Sequence, residues 1–141
     1  MVTTNGIIVK SWDVSNVTEM ASMFNSNNVF NQDISQWNVS NVTSMQDMFN
    51  GATNFNQNIS IWNTINVIIM QGMFNGNIVF NQEIRGWNVS NVTSFTDMFV
   101  GATAFNAEYD IYKYLDNGTP TSKFFNINGP LKFFTPTTRT E

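Results

Sequence analysis

Large apolar residues recur along the chain at a fixed interval, with polar residues between them. Trp12, Trp37, Trp62 and Trp87 stand 25 residues apart, and so do Phe30, Phe55, Phe80 and Phe105. The pairs Met23-Phe24, Met48-Phe49, Met73-Phe74 and Met98-Phe99 keep the same period, as do Val17, Val42, Val67 and Val92. Ile34, Ile59 and Ile84 complete the set, with Tyr109 in the next slot. No insertion or deletion interrupts the four copies. One copy runs from Phe30 to Asn54, and Tyr112 falls where another Trp is due, so a degenerate fifth coil begins there.

A period of 25 residues lies in the ~20–29 range of leucine-rich repeats. The spacing predicts a repeat solenoid of that type, with short parallel strands on one face and helical or 3-10 turns opposite. Asp33–Trp37 reads as the strand, with Ile34 inward. Ser44–Phe49 reads as the helical turn, because Met45, Met48 and Phe49 sit at i, i+3 and i+4. Asn50-Gly51 and Gly76-Asn77 are turn signals that end the segment. Thr18 and Thr43 are candidate N-caps. Stacking coils at ~4.8 Å buries each copy's apolar set on the next. The repeated Asn16, Asn41, Asn66 and Asn91 fit an inward amide column that satisfies turn backbone groups.

The phrase Trp37-Asn-Val-Ser-Asn-Val-Thr-Ser-Met-Gln-Asp-Met-Phe49, followed by Gly51-Ala-Thr-Asn-Phe-Asn-Gln57, resembles the BspA-like leucine-rich-repeat surface-protein family. That resemblance covers Trp12 to Tyr112. It implies a bacterial surface protein or lipoprotein, or a viral relative, that works in adhesion or protein binding and carries no catalytic residues. Copy three departs from the pattern, with Thr64-Ile-Asn-Val-Ile-Ile-Met70 in place of Val-Ser-Asn-Val-Thr-Ser-Met.

The ends divide the chain further. Residues 1–11 read as an N-terminal cap, with Ile7-Ile-Val9 a first strand; 12–112 form the repeats; 113–141 form a Phe-rich cap or docking hairpin and tail. The hairpin is expected around Asn128-Gly129. Phe124, Phe125, Ile127, Leu131, Phe133 and Phe134 either close the last coil or dock on another subunit, since large exposed apolar patches mark interfaces.

Composition narrows the chemistry. A net charge of −4 with 11% charged residues argues against a nucleic-acid footprint or a polybasic membrane patch. Cysteine and histidine are absent, which removes disulfides, thiolate metal sites and the commonest general base. The start has no basic region followed by an apolar core, so no signal peptide is expected, and no apolar run approaches the ~18 residues of a membrane span. Asp33, Asn58 and Glu83 share one repeat position, and Asp47, Gly72 and Asp97 another. Neither set is consistently acidic, so a solvated face is expected rather than a calcium or acid–base site. Neither an enzyme nor a cofactor is expected. The sequons at Asn16, Asn41 and Asn91 are set aside as glycan sites because those side chains are expected to be buried.

Function is therefore expected on the strand face. Asp33, Ser35, Gln36, Asn58, Ser60, Ile61, Glu83 and Arg85 vary between copies while the core does not. They form either a binding face for protein partners or ordinary soluble surface. The first reading is a non-catalytic adhesion or protein-binding module on a cell surface. The alternative is a decoration or tail subunit of a virion or other large particle, docked through the C-terminal segment. Partners would be proteins, including copies of the chain or a larger assembly. A Thr18, Thr43, Thr93 ladder for ice binding is broken by Ile68.

Overall fold

In the computed structural model, residues 8–109, 115–116 and 118–125 are described. The repeat is built from turns. Regular structure among these residues amounts to one short helix, α1 (Thr103–Glu108), a hairpin of β1 (Leu115–Asp116) with β2 (Thr119–Pro120), and a 3-10 turn at Ser122–Phe124. This corrects the expected leucine-rich-repeat solenoid with parallel strands. Ser35 and Gln36 form a turn instead of the middle of a strand, because the Asp33 carboxylate accepts the Ser35 N–H at 2.9 Å and Trp37 N–H closes on the Ile34 carbonyl at 3.1 Å. Parallel pairing between the copies takes the form of the single-residue bridges Glu19–Ser44, Ser44–Ile69 and Ile69–Ser94. Those bridges lie where the spacing predicts a helical turn.

The expected helical stretch is a run of overlapping turns. In the first copy Met23 N–H closes on Met20, Asn25 on Ser22 and Asn27 on Phe24. A left-handed residue stands third in the first and last of these turns: Ser22 at φ 60° and Ser26 at φ 61°. Positive φ at that place is the mark of a type II turn. Asp47, Gly72 and Asp97 hold the first of these corners in later copies, and Gly51, Gly76 and Gly101 the second. Left-handed residues interrupt a right-handed helix, so the i, i+3, i+4 spacing of Met45, Met48 and Phe49 serves turns instead. Thr18 and Thr43 accordingly cap no helix.

Between these turn bonds, alternate N–H groups reach the next copy. Met20 donates to the Ser44 carbonyl, Ser22 to Gln46, Phe24 to Met48 and Ser26 to Asn50, at 2.7–3.0 Å. The pattern recurs from Met45, Asp47, Phe49 and Gly51 to the copy after. These backbone groups thus find partners without a regular strand.

Side chains stack in columns. Phe24, Phe49, Phe74 and Phe99 lie 5.6–5.8 Å apart, centroid to centroid. Phe30, Phe55, Phe80 and Phe105 form a second column, and Phe49 meets Phe55 across the two at 4.1 Å. Burying each such ring contributes about 1.5–3 kcal/mol. The indole N–H of Trp37 donates to Val9 O, that of Trp62 to Ile34 O and that of Trp87 to Ile59 O, each at 3.1 Å. In copy three Thr64 takes a slot that Val14, Val39 and Val89 hold elsewhere, and its hydroxyl donates to Asn88 O at 2.8 Å.

Adjacent copies are not equivalent. Asn27 and Asn77 alternate with Ala52 and Ala102, and Ser22 and Gly72 alternate with Asp47 and Asp97. The Asn77 side chain is fully buried, accepts Val79 and Phe80 N–H, and donates to Phe55 O. A Cβ on Gly72 would stand 2.1 Å from an Asp47 carboxylate oxygen.

The two ends of the stack also differ. At the C-terminal end Phe99 N–H donates to Gly118 O and Asp97 N–H to the Thr119 hydroxyl, both at 2.8 Å. Phe124 and Phe125 are buried there: Phe124 against Phe99, Phe105 and Tyr109, and Phe125 against Phe95. The hairpin expected around Asn128-Gly129 lies outside the described residues, as do Ile7, Tyr112, Ile127, Leu131, Phe133 and Phe134.

Candidate functional site

The expected binding face is dispersed along the stack, and much of it is engaged within its own turns. Asp33 accepts the Ser35 N–H and Asn58 the Ser60 N–H, at 2.9 and 3.0 Å. Hydrogen bonds from the Ser35 hydroxyl and N–H hold the Asp33 carboxyl below the usual carboxylate range. Glu83 grips the Arg85 guanidinium, with Nε to Oε1 at 2.9 Å, and this hydrogen bond raises the Arg85 pKa. Arg85 also lies 5.4 Å from the centre of the Tyr109 ring, a cation–π distance. Burial pushes the Tyr109 hydroxyl pKa well up. Gln36 and Ile61 are exposed at the turn tips.

A groove of about 500 Å³ opens on another side, lined by Asn41, Thr43, Asn66, Ile68, Asn91 and Thr93. Its rows come from the turns closed by Val42, Val67 and Val92 N–H on Val39, Thr64 and Val89. Val42 and Val67 point into the core, which turns their neighbours outward. Asn16, Asn41, Asn66 and Asn91 are therefore exposed, and the inward column expected of them is corrected. Their amides still bridge copies: Asn41 Nδ2 donates to Ser15 O, Asn66 to Ser40 O and Asn91 to Ile65 O, at 2.7–2.8 Å. With these side chains exposed, burial no longer argues against glycans at Asn16, Asn41 and Asn91.

The column that satisfies backbone groups at the Phe corners is built by other residues. Asn31 Oδ1 accepts Asn56 N–H at 2.9 Å, and Asn56 Oδ1 accepts Asn81 N–H at 3.0 Å. Gln57 and Gln82 donate to the Asn31 and Asn56 carbonyls, both at 3.0 Å. The unbroken triplet Phe-Asn-Gln at 30–32, 55–57 and 80–82 is the sequence signal for it.

The groove floor is a backbone strip. Thr43 N–H donates to Thr18 O, Ile68 to Thr43 O and Thr93 to Ile68 O, each at 2.8 Å. The Thr43 and Thr93 hydroxyls donate to the same carbonyls, Thr18 O and Ile68 O. That leaves Asn Oδ1 atoms, Thr methyls and the Ile68 side chain facing out, and Ile68 is 43% exposed. The surface is uncharged, accepts hydrogen bonds and carries apolar patches. Among the described residues no three His, Cys, Asp or Glu side chains converge as a metal site, and no helix is long and apolar enough to cross a membrane.

No curated protein and no solved structure matches the chain at a significant level. The family described as Mycoplasma protein of unknown function, DUF285, matches residues 2–126, which takes in all four copies and the closing segment to Phe125. The chain belongs to that family.

Proposed function

We propose that the chain is a non-catalytic protein-binding module, of the BspA-like surface-repeat kind, and that the groove from Asn41 to Thr93 is its recognition surface. The observation that carries the reading is the groove's chemistry: an uncharged row of amide oxygens and methyl groups held by backbone bonds, with Ile68 left 43% exposed at its centre. A partner with N–H donors and small apolar side chains suits it, and a protein supplies both. Display outside a cell, where an adhesive surface meets other proteins, fits the same reading.

The test is an array of purified extracellular proteins probed with the whole chain. Ile68→Glu places a charge in the groove without touching the core. Retention of an array protein by wild type and by Asp33→Asn, with loss on Ile68→Glu, is the expected result. A chain that holds no protein sinks the binding reading. Binding that survives Ile68→Glu but fails on replacing Glu83 and Arg85 moves the surface to the other face.

A further inference from the structure

Among the described residues the stack has one closed end and one open end, and the open end carries its own specification of a partner. At each internal junction the later copy's Trp indole N–H, Asn amide and Thr-row N–H donate backward, while its turn carbonyls accept from the copy before. In the first copy the same groups have no counterpart among the described residues. The donors are Trp12 Nε1, Asn16 Nδ2 and Thr18 N, and the acceptors are the Glu19, Ala21, Met23 and Asn25 carbonyls.

The apolar surface agrees. Trp12 is 46% exposed, against 3–4% for Trp37, Trp62 and Trp87. Met23 is 37% exposed, whereas Met48, Met73 and Met98 are fully buried. At the opposite end Gly118, Thr119 and Phe124 seal the last copy.

We infer that the open end is an extension edge that accepts one further copy of the 25-residue repeat in register. The occupant is defined by the match. It must offer carbonyls to Trp12, Asn16 and Thr18 and alternate N–H groups to Glu19, Ala21, Met23 and Asn25, while covering an indole and a thioether. The existing junctions repeat that arrangement between successive copies, so the new interface continues an established one. It lies at the end of the Asn and Thr rows that line the groove, beyond Asn41 and Thr43.

The experiment uses the full chain with the sequence of residues 30–54 inserted between Thr4 and Asn5, which preserves the register. A scrambled insert of the same composition is the control. Hydrogen exchange is followed at the Trp12 indole N–H and the Thr18 amide, with the Thr43 amide as reporter of the host stack. With the true copy both Trp12 and Thr18 slow by at least about tenfold relative to the scrambled insert, as closing of a stable local unit requires. Exchange equal in the two inserts overturns the inference. Loss of Thr43 protection with the true copy overturns it too, since a copy in register leaves the host junctions intact.

Discussion

Ser26 and Gly51 occupy the same left-handed corner one copy apart, at φ 61° and 70°, and a Cβ on Gly51 would come 3.5 Å from the Ser26 backbone. Space is available at that corner, so its cost is conformational. A left-handed residue with a Cβ costs roughly 1–2 kcal/mol, offset in part by glycine's larger loss of chain entropy. Ser26→Gly should stabilise the chain by about 0.5–1 kcal/mol, and Gly51→Ala should destabilise it by about the same amount. Urea unfolding midpoints check both, and a destabilised Ser26→Gly would contradict the account.

The tryptophans offer an internal comparison. Trp62→Phe leaves the Ile34 carbonyl without its indole partner in a buried place, which costs about 1–3 kcal/mol beyond lost contacts. Trp12→Phe removes an exposed indole that bonds nothing among the described residues, and stability should move by less than about 0.5 kcal/mol. Equal losses in the two variants would refute the distinction.

Asn77→Ala removes an acceptor for two N–H groups, Phe80 buried and Val79 partly buried, and a donor to the buried Phe55 O. The expected loss is about 2–4 kcal/mol. Its fold-equivalent Asn27, only partly buried, should cost less on the same change. Thermal unfolding of the pair ranks them.

Acid should loosen the outer turns. Hydrogen bonds from Ser15 and Ser35 lower the pKa values of Asp13 and Asp33 in the folded chain. A lowered folded pKa contributes stability above the unfolded pKa of about 3.9, and that contribution is lost as pH falls through the folded value. Both groups are exposed, so the effect is small. Asn58 already does the same capping without a charge. The double variant Asp13→Asn, Asp33→Asn should therefore flatten the dependence of the urea midpoint on pH below about 4. An unchanged slope would rule these two carboxylates out.

The repeat is legible in the sequence because four copies pass without insertion, so spacing alone draws every Trp, Phe and Met column. The local conformation is not. Met45, Met48 and Phe49 satisfy a helix and a pair of turns equally well, and the deciding feature, a left-handed corner at Asp47, is carried by a residue other than glycine. For the groove a signal exists. Asn41-Val42-Thr43 alternates, so an inward Val42 commits both neighbours to the outside. The open end is hidden because its meaning lies in which backbone groups go unmatched, and residue types do not record that.

Gly72 separates two carboxylates. With Asp47 before it and Asp97 after it, the acidic corner appears in every second copy only. The natural unit of gain or loss inside the stack is therefore a pair of copies, 50 residues, whereas at its open end a single Asp47-type copy keeps the alternation. Excising one copy around Gly72 would set Asp47 directly beside Asp97, like charge on like charge. Excising two would bring Ser22 beside Asp97 and leave the alternation whole. A gene that lengthens or shortens by unequal crossing-over would find even steps easier than odd ones.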